Sequence, residues 1–100
     1  MVRAEHLAEY KALHADPWPG VLAALRSHGI SNYSIFHHGG LLFAYFEYDG
    51  DDFDADMAAV AQDPITQQWW KLTDPCQEPL PDTAAQGGWW TTMEQVFLME

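Results

Sequence analysis

Tyr10, His14 and Trp18 stand four residues apart, and Pro19 follows at once. Residues four apart on a helix share one face, so the Tyr10 phenol and the His14 imidazole lie one turn from each other. Trp18 comes a further turn on, where the helix must bend before Pro19. An imidazole titrates near neutrality and can deliver or accept a proton at physiological pH. Flat rings with polar tips suit a sugar, because the rings stack on the apolar side of a pyranose while the tips read its hydroxyls. Tyr33 and the pair Trp69-Trp70 extend this set. The chain spends five tryptophans and four tyrosines on 100 residues, and most lie beside a histidine or a turn rather than in apolar runs.

Each residue also has a plainer role open to it. Tyr10 can be a core-edge tyrosine, His14 a half-buried helix histidine, and Trp18 a plug beside prolines. Tyr33 can point into a cavity or into the core. Trp69 and Trp70 diverge by about 100° on a helix, so one packs inward and the other is free to line a site. His37-His38 adjoin a turn, and neighbours on a strand point to opposite faces, which argues against chelation. The acids of residues 51–56 lack the glycine and terminal glutamate of a calcium loop. The sequence carries no P-loop, dinucleotide fingerprint or nucleophile elbow.

Fifteen carboxylates oppose four lysines and arginines, for a net charge of -11. That balance disfavours binding to nucleic acid or anionic membrane, and a neutral substrate fits it better. Cys76 is the one cysteine. An intramolecular disulfide is therefore excluded, and one thiol cannot build a thiolate metal site. With no signal sequence and no apolar run of spanning length, a reduced, cytoplasmic setting is expected.

Positioning these groups requires a short series of elements in one domain over residues 1–100. Leu7, Tyr10, Leu13 and His14 give residues 4–15 a helical period. Pro19 opens a second helix, which Gly29 closes in the left-handed conformation. Ile30 to His38 alternates as a strand, with Tyr33, Ile35 and His37 on one face and Asn32, Ser34, Phe36 and His38 on the other. Gly39-Gly40 turns it into a second strand, Leu41 to Tyr48. Asp51 to Asp63 reads as a helix with Phe53, Met57 and Val60 buried, and Pro64 starts another through Lys71. Residues 74–88 read as a long polar loop, and Trp89 to Met99 as a last strand. Only Met1-Val2-Arg3 precede the first helix. The order is βαββαβ without its leading strand, which predicts an α+β fold with a three-stranded antiparallel sheet.

The run Tyr10-x-x-x-His14-x-x-x-Trp18-Pro19, then His28-Gly29-x-x-Asn32-Tyr33-Ser34-Ile35, Leu42-Phe43-Ala44 with Glu47, Trp69-Trp70-Lys71 and Met93-Glu94-Gln95-Val96-Phe97, resembles the L-rhamnose mutarotase family. The pieces occur in order over almost the whole chain. The resemblance implies a ferredoxin-like subunit pairing into a homodimeric α/β barrel. It implies interconversion of the α and β anomers of L-rhamnose or a related aldose, with no metal or organic cofactor. It places His14 at the proton donor's position and Tyr10, Tyr33, Trp69 and Trp70 at the sugar contacts. The competing readings are a non-catalytic ligand-binding barrel module and a cofactor-free monooxygenase on the same fold.

Overall fold

The protein's structure, a computed structural model, describes residues 1–85 and 89–100. A 3-10 turn at Ala4–His6 runs into α1 (Leu7–Ala15), and α2 (Pro19–Ser27) follows. The strands β1 (Ile30–His38) and β2 (Leu41–Tyr48) come next, then α3 (Phe53–Gln62), α4 (Pro64–Thr73), a 3-10 turn at Asp74–Cys76 and the short α5 (Pro81–Ala85). This is an α+β arrangement.

Local chemistry sets most of these boundaries. Pro19 and Pro64 each occupy a first turn, where the missing amide hydrogen is not needed. Asp52 and Asp63 cap α3 and α4 by accepting from the amides of Ala55 and Thr66. Gly29 leaves α2 at φ 87°, a conformation that disfavours any side chain. Gly39 and Gly40 both have positive φ, 58° and 80°, as a two-residue hairpin with the twist of its strands requires.

β1 and β2 pair antiparallel, Phe36 opposite Phe43 and His37 opposite Leu42, with an irregularity between Ser31 and Ser34. Asn32 takes φ 49° there, and its amide donates to Glu47 at 2.7 Å. The faces differ sharply. Leu42, Ala44, Phe46 and Tyr48 are half-buried on one side, while Leu41, Phe43, Tyr45 and Glu47 alternate outward. Among the outward residues, Phe36 is 60% and Tyr45 55% exposed.

The buried side chains are few. Val2, Tyr10 and Cys76 pack with Leu7, Leu13 and Leu42. Val21, Ile30, Val60 and Trp69 are buried on the helices and strand behind. Tyr48 donates to Asp56, whose other oxygen lies 3.4 Å from His28 Nδ1, so the end of β2, the start of α3 and the end of α2 are tied together.

Three expectations are corrected. Among the described residues the sheet has two strands, not three. Residues 89–100 adopt no strand; Val96 and Phe97 are 86% and 79% exposed. A strand exists only through pairing, and the alternating residues there meet no sheet edge; the segment is tied down at its start, where the Thr83 and Thr91 hydroxyls bond. Among the described residues, Met1–Arg3 contribute an isolated bridge, Val2 with Gln77. The polar stretch 74–88 is not a plain loop: Pro75 and Pro81 pre-set φ for the 3-10 turn and for α5. Residues 86–88 of that stretch lie outside the described residues. Finally, Phe53 is 42% exposed rather than buried. It sits at the first position of α3 and stacks on Phe46 at 5.8 Å, leaving Val60 as the deeply buried residue of that stripe.

Candidate active site

α1 ends at Ala15 because Asp16 leaves helical dihedrals and Pro17 and Pro19 cannot continue the ladder. His14 therefore lies in the last turn, one turn beyond Tyr10. Its Nδ1 is 2.9 Å from the Tyr10 carbonyl oxygen. A carbonyl can only accept, so Nδ1 carries the hydrogen and Nε2 is the nitrogen left for a ligand. The two rings are 4.2 Å apart at 32°.

Trp69 reaches this pair from α4. Its ring meets His14 edge-on at 5.6 Å and Trp18 at 5.4 Å, and it is 6% exposed. Trp18 thus wedges the bend between α1 and α2 against α4, the plug role that its prolines suggest. Trp70, one residue on, turns outward and is 39% exposed. The divergence expected of adjacent helix residues is realised with Trp69 inside.

A groove of about 360 Å³ opens between α1 and the hairpin, bounded by Tyr10, Lys11, His14, Ile35, His37 and Leu42. Its volume lies within the span of small-molecule sites, roughly 300–1,000 Å³. Tyr33 lies in the adjoining hollow with Leu22, Leu25 and Arg26, its ring stacked on Phe46 at 5.6 Å. Thus Tyr10, His14 and Trp69 stand together, Tyr33 lines a second hollow, and Trp70 lines neither.

Two groove residues escaped the reading of the sequence. His37 is an exposed residue of the hairpin turn, as its place beside Gly39-Gly40 suggests, its Nε2 accepting from the Gly40 amide at 3.3 Å; it also lines the groove with Ile35. The alternation that places Ile35 and His37 on one face was the available signal. Lys11 adjoins Tyr10 in sequence but carried no spacing that marked it.

The phenols stay neutral at physiological pH. Burial pushes Tyr10 up to about 12, helped by the nearby Tyr33 phenol and Cys76 thiol. Burial likewise raises Tyr33. Both therefore serve as hydrogen-bond donors and acceptors rather than as charges. The one set of three metal donors among the described residues, His6, Glu9 and Cys76, lies outside the groove. Among the described residues, no helix is long and apolar enough to cross a membrane.

A family model described as L-rhamnose mutarotase matches residues 1–99. The chain is 35% identical to an L-rhamnose mutarotase of Bacillus subtilis over 81% of its own length and 77% of that protein's. It is 36% identical to one of Lactiplantibacillus plantarum and 33% to one of Oceanobacillus iheyensis, each over 92% of this chain and 85% of the relative.

Proposed function

Because the chain belongs to the L-rhamnose mutarotase family, we propose that it interconverts the α and β anomers of L-rhamnose, or of a closely related aldose, with His14 as the proton-transfer group. The observation that carries this reading is the His14 geometry: Nδ1 tied to the Tyr10 carbonyl, leaving Nε2 for the sugar. Anomer exchange requires the ring oxygen to gain a proton and the anomeric hydroxyl to lose one. As the imidazolium, His14 gives the Nε2 proton to the ring oxygen, and the C1–O5 bond breaks. A base, water or a second side chain, takes the proton from the C1 hydroxyl, leaving the open aldehyde. Rotation about C1–C2 and the reverse transfers close the other anomer. No net proton is consumed.

The neighbours assist by position. The backbone bond holds the imidazole in one tautomer and orientation, which lowers the cost of alignment. Tyr10 and Tyr33, neutral phenols, supply hydrogen bonds to hydroxyls. Trp69, buried and braced by Trp18, backs the His14 ring and so helps to hold it in place, while Trp70 is left without a part at the groove. The reaction draws on acid–base chemistry alone, so the reading includes no metal or organic cofactor.

In this reading the active unit is a homodimer in which ferredoxin-like subunits form an α/β barrel, and it works in the cytoplasm. The outward face of the hairpin supports pairing, since Phe36, Phe43 and Tyr45 together make an aromatic surface that water covers poorly. The decisive test is saturation-transfer NMR on L-rhamnose. The protein should accelerate exchange between anomers and His14→Ala should not; equal rates for both would remove His14 from the mechanism.

A further inference from the structure

His6 and Glu9 are one turn apart at the start of α1, with His6 Nδ1 3.0 Å from a Glu9 oxygen. Cys76 reaches them from the far side of the chain. The approach is built by the backbone: the Arg3 amide donates to the Cys76 carbonyl at 2.7 Å, the Glu78 amide to the Met1 carbonyl at 2.8 Å, and Val2 bridges Gln77. The imidazole nitrogen, carboxylate oxygen and thiol sulfur then all lie within 4.8 Å of one another. The sulfur is the floor of this cluster, since Cys76 is 0% exposed. Glu9 forms its open side, and His6 is half-buried between them.

One thiol cannot build an all-thiolate site, but it can serve in a mixed one, and we propose that His6, Glu9 and Cys76 form a zinc site that clasps the N-terminal segment to the turn after α4. All three donor types are zinc ligands, at about 2.0–2.3 Å from the ion. Tetrahedral ligands at such bond lengths stand roughly 3.4–3.6 Å from each other. The cluster needs to contract by about 1 Å to reach that spacing, a side-chain torsion adjustment on the exposed Glu9 and half-buried His6. Binding displaces the thiol proton to solvent. Thiolate and carboxylate then balance the ion's two positive charges, and the neutral imidazole completes three ligands. The fourth position opens on the Glu9 side and takes a water. None of the three residues lines the groove, so the site is a fastening for residues 1–3, independent of anomer exchange.

The test uses the untagged full chain and cobalt(II) as a spectroscopic stand-in for zinc. One equivalent should produce thiolate-to-cobalt charge-transfer absorption, which zinc then bleaches. Removing even an outer-shell partner typically costs 10–100-fold in metal affinity, so His6→Gln, a change on the accessible side, should weaken cobalt binding by at least about 100-fold. Cys76→Ser should lose the sulfur band. Because Cys76 is buried, its circular dichroism is compared with that of the parent, and His6→Gln decides the matter if the serine variant misfolds. No sulfur band in the parent protein, or unchanged affinity in His6→Gln, would overturn the site. Anomer exchange should be the same with and without the metal and in His6→Gln; dependence on either would contradict a fastening role while leaving the assignment of His14 intact.

Discussion

The inner and outer faces of one hairpin have opposite fates. Inward, Ile35, His37 and Leu42 meet α1 and form a groove with Tyr10 and His14. Outward, Phe36, Phe43 and Tyr45 carry aromatic rings that are 42–60% exposed, Phe36 also reaching the groove's rim. The same alternation of residues produces both, and apolar character is not what separates them. The difference lies in what packs above: helices cover one face, and only a second copy is proposed for the other. An aromatic residue in this fold is thus explained by its cover, not by its type.

Four tests sharpen this contrast, in descending size of effect. On the inner side, His14→Ala should lower enzyme-accelerated exchange by about 10²–10⁴-fold, the usual contribution of a general acid or base. Because the imidazole is only half-buried, the variant should keep the parent's circular dichroism; a rate within threefold of the parent, to within about 0.7 kcal/mol, would place the proton transfer elsewhere. Next, Trp69→Ala should destabilise the protein by about 3–5 kcal/mol, the cost of emptying a buried tryptophan site. Trp70→Ala, one residue away and largely exposed, should cost less than about 1 kcal/mol. Urea denaturation of the two measures the contrast, and equal losses would mean that both rings are packed.

On the outer side, Phe36→Ser should leave subunit stability within about 1 kcal/mol while shifting sedimentation from dimer toward monomer. A dimer of unaltered affinity would remove the outer face from the interface. The smallest effect is alkaline. Tyr10 loses its proton near pH 12 when folded and near pH 10 when unfolded. Its folded-state value is raised, so its contribution is fully present below about pH 10 and is lost as pH climbs through 12. Tyr10→Phe should therefore flatten the stability curve in that window, measured by denaturation at fixed alkaline pH; an unchanged slope would mean that the phenol is not sheltered.

Much of the candidate site was legible because it is local. Tyr10 and His14 are brought together by helical spacing alone, and the hydrogen bond from Nδ1 to the Tyr10 carbonyl spans the same single turn. The turns at Gly29 and Gly39-Gly40 follow from φ values that glycine tolerates. The groove's far wall was less legible. His37 reads as half of a turn pair and is one; that it also lines the groove with His14, 23 positions earlier, depends on how the hairpin packs on α1. The third strand failed for a similar reason: alternation in residues 89–99 states a capacity to pair, and pairing needs an edge that sequence periodicity does not reveal.

The sequence by itself determined the acidic balance, the helix stops at Pro17 and Pro19, the hairpin and the family membership carried by motifs along almost the whole chain. These depend on composition and on interactions within a few residues. Only the tertiary structure decided that Trp69 rather than Trp70 backs His14, that one hairpin face is covered and the other is bare, and that Cys76 meets His6 and Glu9. Those outcomes rest on contacts between residues far apart in the chain. Such contacts are set by how covered faces exclude water, and no local preference encodes which face will be covered.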